Sequence, residues 1–287
     1  MAQLILCRYG ELWLKSKPVM DKFYSKLISN MHKTLTREQV DFKIMRKRNR
    51  AFVDTEDPEK VIEILKRVPG LISISPVLKI DMDLDTIEKE LLRLAEIKLK
   101  GNKKTWAVKV KRVGTHDITS KEMESRWGFA VGSIYDNPVD LSRPEIPLNV
   151  EVRNSSAYIF TDTYQCAGGL PVGVEGTVAA LIETEDDIIA AYLIMKRGCD
   201  VIAITDNKKL AEKLLRSTPH LEIIEFKKDW TDALKTAIEK HEAKAFVNGE
   251  NLKTMTDLEK DIELPILRPL IGIDDKKIKE IRTKIFD

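Results

Sequence analysis

Gly168–Gly198 reads GGLPVGVEGTVAALIETEDDIIAAYLIMKRG, and the fold of the second half of the chain turns on it. Gly168, Gly169, Gly173 and Gly176 lead into an apolar run, Val178–Ile182, short and bounded enough to be a buried strand. Five polar residues follow, Glu183-Thr184-Glu185-Asp186-Asp187. Then Ile188–Met195, apolar nearly all round, reads as a helix closed by Lys196, Arg197 and a stop-signal Gly198. Strand, turn and helix N-terminus is where an α/β domain usually holds a phosphate, because free N–H groups and the helix dipole both favour an anion. Here that place is filled with acid.

Four carboxylates in five residues suit a helix start well. Thr184 with Asp187 three residues on fits an S/T-x-x-D/E capping pattern, and first-turn acids complement the dipole. For a nucleotide they are hostile: each pair of like charges about 4 Å apart costs roughly 1 kcal/mol even in water, and more in a pocket. A bridging metal ion would invert that sign, but carboxylates at a helix start are far more often a cap. The residues by themselves favour the cap.

Beyond Gly198 the pattern alternates cleanly. Strand Val201–Thr205, helix Lys208–Leu215, strand Leu221–Phe226, helix Trp230–Lys240 and strand Ala245–Val247 imply a parallel sheet covered on both faces. Upstream the pattern differs. Leu4-Ile5-Leu6 is a strand, and Phe23, Leu27, Ile28, Met31 and Leu35 recur at helical spacing behind Pro18. Val40–Arg46 and Arg50–Asp54 read as strands around Lys47-Arg48-Asn49; a helix follows from Pro58 to Pro69-Gly70, then a strand Leu71–Ile80. The order β-α-β-β-α-β is the split-βαβ, ferredoxin-like layout. From Asp81 a second unit begins: an amphipathic helix Leu84–Leu99, a strand Thr105–Arg112, a helix with a Thr119…Glu122 capping box, and strands Leu148–Val152 and Ala157–Thr161. The expected domains are therefore 1–80, 81–170 and 171–287.

Composition sets outer bounds. The 287 residues suffice for two or three domains, and 43% hydrophobic with 33% charged content is that of a soluble globular chain. No run of 18 apolar residues exists and the N-terminus lacks a signal peptide's pattern, so a cytoplasmic location away from membranes is expected. Cys7, Cys166 and Cys199 lie far apart without a CxxC, which signals neither a disulfide framework nor a sequence-local metal site. The net charge of +2 hides an asymmetry: residues 1–170 hold 29 Lys/Arg against 23 Asp/Glu, while residues 171–287 hold 19 against 23. Any polyanion belongs on the first half.

Several stretches carry a family resemblance. RYGELWLK before the first long helix, VKVKR, TS-x-E, VDL, VEVR and AYIF in order over residues 81–170, and GGLPVG with AAYLIMKRG thereafter, resemble the ThiI-type tRNA sulfurtransferases that make 4-thiouridine in tRNA. Asn248-Gly249-Glu250 and Leu264–Gly272 look like that family's T-G-E and L-P-x-L-R-P-L-I-G pieces. The resemblance implies α+β N-terminal units, a ferredoxin-like domain plus a THUMP RNA-binding domain. An α/β parallel-sheet domain, PP-loop ATPase-like and shortened, follows them. It also implies that the first two domains hold the tRNA acceptor region. Carried over by position, Lys15, Arg50, Lys109, Lys111, Arg112, Lys121 and Arg153 are the RNA contacts. Lys and Arg there meet phosphate oxygens, which gives register but no sequence reading.

The departures from the family bear on chemistry. Its PP-loop, S-G-G-x-D-S, is absent; Glu183 and Thr184 stand at that nucleotide position, and Gly249 is the family glycine that survives. The basic segment ahead of T-G-E and the segment bearing a sulfur-delivering cysteine have no counterpart. The sequence thus implies a tRNA-binding ThiI-like protein without adenylation activity of its own, with no catalytic residue, cofactor or metal assigned. The alternative is an active ATP-dependent tRNA sulfurtransferase, using ATP-Mg through an atypical loop or a partner that supplies the cysteine. Expected partners are tRNA, a sulfur-donor or catalytic protein, and a second copy of the chain. His116 lies in a polar loop, Cys166 reads as a semi-buried structural thiol, and Cys199 as the buried start of a strand.

Overall fold

The computed structural model of the chain describes residues 3–10, 16–47, 50–114, 117–258 and 262–286. The chain opens with β1 (Gln3–Tyr9), α1 (Lys17–Arg37), β2 (Lys43–Lys47), β3 (Arg50–Thr55), α2 (Pro58–Leu65) and β4 (Leu71–Asp81). It continues with α3 (Leu84–Leu99), β5 (Trp106–Val113), α4 (Ser120–Gly132), β6 (Ile146–Arg153), β7 (Ser156–Phe160) and a short β8 (Tyr164–Gln165). These strands form one sheet of order β2-β3-β1-β4-β7-β6-β5, with β8 beside β4. The first four of them stand in the order that a split βαβ requires.

Contacts divide the chain into two compact units, one of Met1–Leu6, Phe52–Pro58 and Ser75–Tyr164, the other of Cys7–Ala51, Glu59–Ile74 and Gln165–Asp287. In the first, α3 buries Ile87, Leu91, Ala95 and Leu99, one stripe at helical spacing, and α4 buries Met123, Trp127 and Val131. Both meet the Trp106, Val108, Leu148, Val150 and Val152 face of the sheet. Their starts are set locally. Asp83 accepts the Thr86 N–H at 2.8 Å, and Thr119 with Glu122 forms a reciprocal capping box. Strands β5 and β6 pair in parallel from Trp106↔Ile146 to Val113↔Arg153. Lys109 and Lys111 therefore share the face opposite Val108 and Val110.

The second unit holds β9 (Thr177–Leu181), α5 (Glu185–Met195), β10 (Asp200–Thr205), α6 (Lys208–Ala211), a 3₁₀ turn Glu212–Arg216, β11 (Glu222–Glu225) and α7 (Thr231–His241). β12 (Phe246–Val247), β13 (Ile266–Leu267) and α8 (Asp275–Phe286) complete it. All of these strand pairs are parallel, in the order β11-β10-β9-β12-β13. Val178, Ala180 and Ile182 pack toward α5 and α8, while Ala179 and Leu181 pack toward α7. Burial on both faces is why these strands are apolar without alternation. Helix α1 belongs to this unit too: Asn30 donates to the Val172 carbonyl at 3.1 Å and Arg37 to that of Thr218 at 2.8 Å.

The glycine-rich stretch clamps the C-terminal end of α5. The N–H groups of Gly173, Val174 and Glu175 all donate to the Gly198 carbonyl, at 2.8, 2.9 and 3.1 Å. A Cβ on Gly169, at φ +74°, would lie 2.2 Å from the Lys196 carbonyl oxygen, so only glycine fits.

Three expectations need correction. The helix placed over Lys208–Leu215 is one α turn followed by 3₁₀, a three-residue period that sends Ala211 and Leu214 together into the core. Cys199 is half-buried and precedes β10 rather than starting a buried strand. Helix α5 begins at Glu185, as the Thr184 cap read from the sequence requires. β13, only two residues long, and α8 are additional to the expected elements, although Ile278, Ile281 and Ile285 of α8 recur at helical spacing and pack into the core.

Candidate functional site

From β9 the chain steps outward to β10 and β11, then returns to the other side of β9 as β12. That reversal makes a crevice at the carboxyl ends of β9 and β12, where open α/β sheets bind ligands. The residues that reach it are Glu183 and Thr184 after β9, Asp187 in the first turn of α5, and Asn248 and Gly249 after β12.

The crevice is closed by the chain itself. One oxygen of the Asp187 carboxylate accepts the Glu183 N–H at 3.1 Å, the Thr184 N–H at 2.8 Å and the Thr184 hydroxyl at 2.8 Å. The other accepts the Gly249 N–H at 2.6 Å. An internal anion thus takes up the donors that would otherwise face a phosphate. The approach is tight: a Cβ on Gly249 would lie 2.5 Å from the Asp186 carbonyl carbon and the Asp187 nitrogen.

Acid surrounds this contact, with counter-charges brought from elsewhere. Arg282 of α8 donates to Asp186 at 2.7 Å and lies 3.7 Å from Glu185, which Lys213 approaches to 3.6 Å. Partial burial, and then the Asp187 and Asp206 charges, push the Glu183 carboxyl above the usual range. The Asn248-Gly249-Glu250 and Leu264–Gly272 pieces meet. Arg268 donates to Glu250 at 2.7 Å in a pair 8% and 14% exposed, and Thr256 donates its N–H to the same carboxylate at 3.0 Å. Burial opposes ionisation of Glu250, but these hydrogen bonds outweigh it and hold the carboxyl low. The pair is an internal brace.

No group of three or more His, Cys, Asp or Glu among the described residues has the geometry to hold a metal. Burial favours the protonated form of all three thiols. Burial raises Cys7 strongly and Cys166 to about 12, and burial with the Glu175 and Asp200 charges raises Cys199. A thiol kept protonated at neutral pH is a poor nucleophile.

The RNA candidates fall into distinct settings. Lys111 and Lys121 are exposed. Lys109 is half-buried with its ammonium on the Leu141 carbonyl, and it lines with Lys121 and Glu124 a cleft of about 490 Å³. Arg112 donates to the Ile118 carbonyl at 2.6 Å. Arg153 donates to the buried Glu151 at 2.6 Å and is 18% exposed. Arg50, half-buried, opens β3, its carbonyl accepting the Tyr24 hydroxyl at 2.8 Å. Lys15 and His116 lie outside the described residues. Sequence reasoning found the Thr184 cap but missed the Gly249, Lys213 and Arg282 contacts, for which no local motif exists.

Comparison with known proteins adds the following. Residues 4–75 match the model of the ThiI ferredoxin-like domain and residues 81–162 that of the THUMP domain. A probable tRNA sulfurtransferase of Methanocaldococcus jannaschii is 32% identical, the match covering 98% of this chain and 87% of the relative. One from Brevibacillus brevis is 32% identical over 98% and 82%. The first alignment runs over 333 positions against a chain of 287 residues, so the relative carries internal segments without a counterpart here. The solved structure of PH1313 from Pyrococcus horikoshii superposes with a TM-score of 0.84 at 25% identity over 99% of both chains. A 4-thiouridine synthetase in complex with RNA and ATP superposes at 0.81 and 24% identity, over all of this chain and 85% of that one. A ferredoxin-like domain and a THUMP domain thus precede an α/β domain with a parallel sheet. No helix among the described residues is long and apolar enough to cross a membrane.

Proposed function

The chain belongs to the ThiI-type tRNA sulfurtransferase family, and on that footing we propose that it binds tRNA through residues 1–170 while forming no adenylate of its own. The tRNA reading follows from the THUMP match and from the names of the relatives. Lys111 and Lys121 are its best-placed phosphate contacts, and Lys15, Arg50, Lys109, Arg112 and Arg153 complete the proposed set. RNA of this kind is read by shape and by 2′-hydroxyls more than by base edges.

One observation carries the second half of the proposal: the Asp187 carboxylate occupies the donors at the crevice. Adenylation of a uridine carbonyl oxygen followed by sulfur attack needs a phosphate cradle and a nucleophilic sulfur. The cradle here holds a carboxylate, and each of the three thiols is pushed toward its protonated form. In this reading thiolation requires a second protein that supplies the nucleotide site and the sulfur, and this chain presents the RNA.

Calorimetry with ATP-Mg²⁺, with and without tRNA, tests the proposal, together with transfer of labelled AMP to tRNA. The expected result is tRNA binding that falls with salt, no nucleotide heat and no adduct. Micromolar ATP binding, or adduct formed by this chain alone, would establish the active-enzyme reading instead.

A further inference from the structure

Residues 1–50 hold 12 Lys/Arg against 4 Asp/Glu, in a chain whose whole charge is +2. A polyanion is drawn to such a stretch. Within the second unit one of these cations is held in a built seat. Tyr9 of β1 and Tyr24 of α1 lie with ring centroids 4.9 Å apart, and the Arg46 guanidinium of β2 stands 4.4 Å from the centre of the Tyr24 ring. Tyr24 is 3% exposed, whereas the Arg46 side chain is 54% exposed. The ring belongs to the core and the guanidinium meets solvent.

Two contacts fix this seat. The Tyr24 hydroxyl donates to the Arg50 carbonyl at 2.8 Å, which ties the ring to β3. Arg46 donates from Nη2 to Asp21 Oδ1 at 3.0 Å. Asp21 and Tyr24 stand three apart on α1 and so share one face, from which the helix offers both the ring and the carboxylate. An exposed ion pair contributes little to stability, and a cation over a ring at the surface adds little more. What the arrangement supplies is orientation. A long side chain with many rotamers is ordered before any ligand arrives, and a planar fork held in place is suited to phosphate oxygens.

We propose that Arg46 is a phosphate contact of the bound tRNA, its guanidinium held ready by Tyr24 and Asp21. The inference rests on the tRNA-binding reading and extends the contact surface to β2, the edge strand beside β3 and its Arg50. Asp21 and Tyr24 are positioning residues that act through Arg46.

The test is filter binding of tRNA by the full chain between about 50 and 200 mM salt. Arg46→Gln, Arg46→Lys and Asp21→Asn are compared with Lys33→Gln, which removes an exposed charge further along α1. Arg46→Gln is expected to weaken binding roughly three- to tenfold at low salt and to reduce the slope of log K against log[salt] by about one. Arg46→Lys keeps the charge and loses the fork, so the slope should stay while affinity falls about two- to threefold. Lys33→Gln should bind as the parent does. Removing the Asp21 charge would by itself favour RNA, so a roughly twofold weakening in Asp21→Asn reports the lost hold on Arg46; tighter binding there would overturn the positioning role. Wild-type affinity and slope in Arg46→Gln, or an equal loss in Lys33→Gln, would overturn the inference and leave the tRNA reading standing. If Arg46→Gln lowers the melting temperature, Arg46→Lys decides, and wild-type affinity in that variant would overturn the inference. Absence of tRNA binding by the unaltered chain would overturn both readings.

Discussion

Asp187→Ala isolates the contact on which the closed crevice depends. The carboxylate accepts two N–H groups and a hydroxyl at the start of α5 and the Gly249 N–H from the strand beyond. Loss of a helix N-terminal cap costs about 1 kcal/mol. A partly buried donor stripped of a charged partner costs about 1–3 kcal/mol more, here at Gly249. The combined loss of about 2–4 kcal/mol corresponds to a fall of about 6–12 °C in melting temperature for a unit of this size. Thermal melts at pH 7 in a phosphate-free buffer measure it. The same melts with about 10 mM phosphate or pyrophosphate measure what the freed donors do. An anion bound with a Kd of about 1 mM returns roughly 1.4 kcal/mol, or about 3–6 °C, to the variant only. An Asp187→Ala protein as stable as the parent, or a parent stabilised by phosphate to the same extent, would refute the reasoning.

Further expectations concern separate parts of the molecule. Arg268→Met leaves Glu250 ionised and nearly buried without its partner, and should cost about 3 kcal/mol in denaturant titrations, more than Glu250→Gln does. Glu183 is held above the usual carboxylate range, so its contribution is present below the unfolded-state value of about 4.3 and is lost as pH rises through the folded-state value. Glu183→Gln should therefore raise the melting temperature at pH 7 and leave it unchanged near pH 3; a gain of equal size at both would contradict the assignment. Lys111→Gln with Lys121→Gln should weaken tRNA binding about uniformly across tRNA species and lower the salt slope by about two, read by filter binding.

Local pattern carried far in this chain. The capping boxes at Thr119–Glu122 and Thr184–Asp187 were legible because each needs only two residues three apart, and both form as read. Stripes such as Ile87, Leu91, Ala95 and Leu99 were legible for the same reason. The basic positions were harder. Arg153 reads as a free cation, yet Glu151 two residues earlier lies on the same strand face and takes its guanidinium at 2.6 Å. Helix α8, mostly charged, gave no reason to place Arg282 against Asp186.

The sequence by itself determined most of the segments that form strands and helices, and that the first turn of α5 is acidic, because these depend on neighbours a few residues away. It did not determine what that acid touches. Only the return of the chain to the far side of β9 brings Gly249 to Asp187 across a separation of 62 residues, and Arg282 to Asp186 across 96. The side chain and the amide that meet there are set by strand order, so the step from a capped helix to an occupied anion site belongs to the tertiary structure.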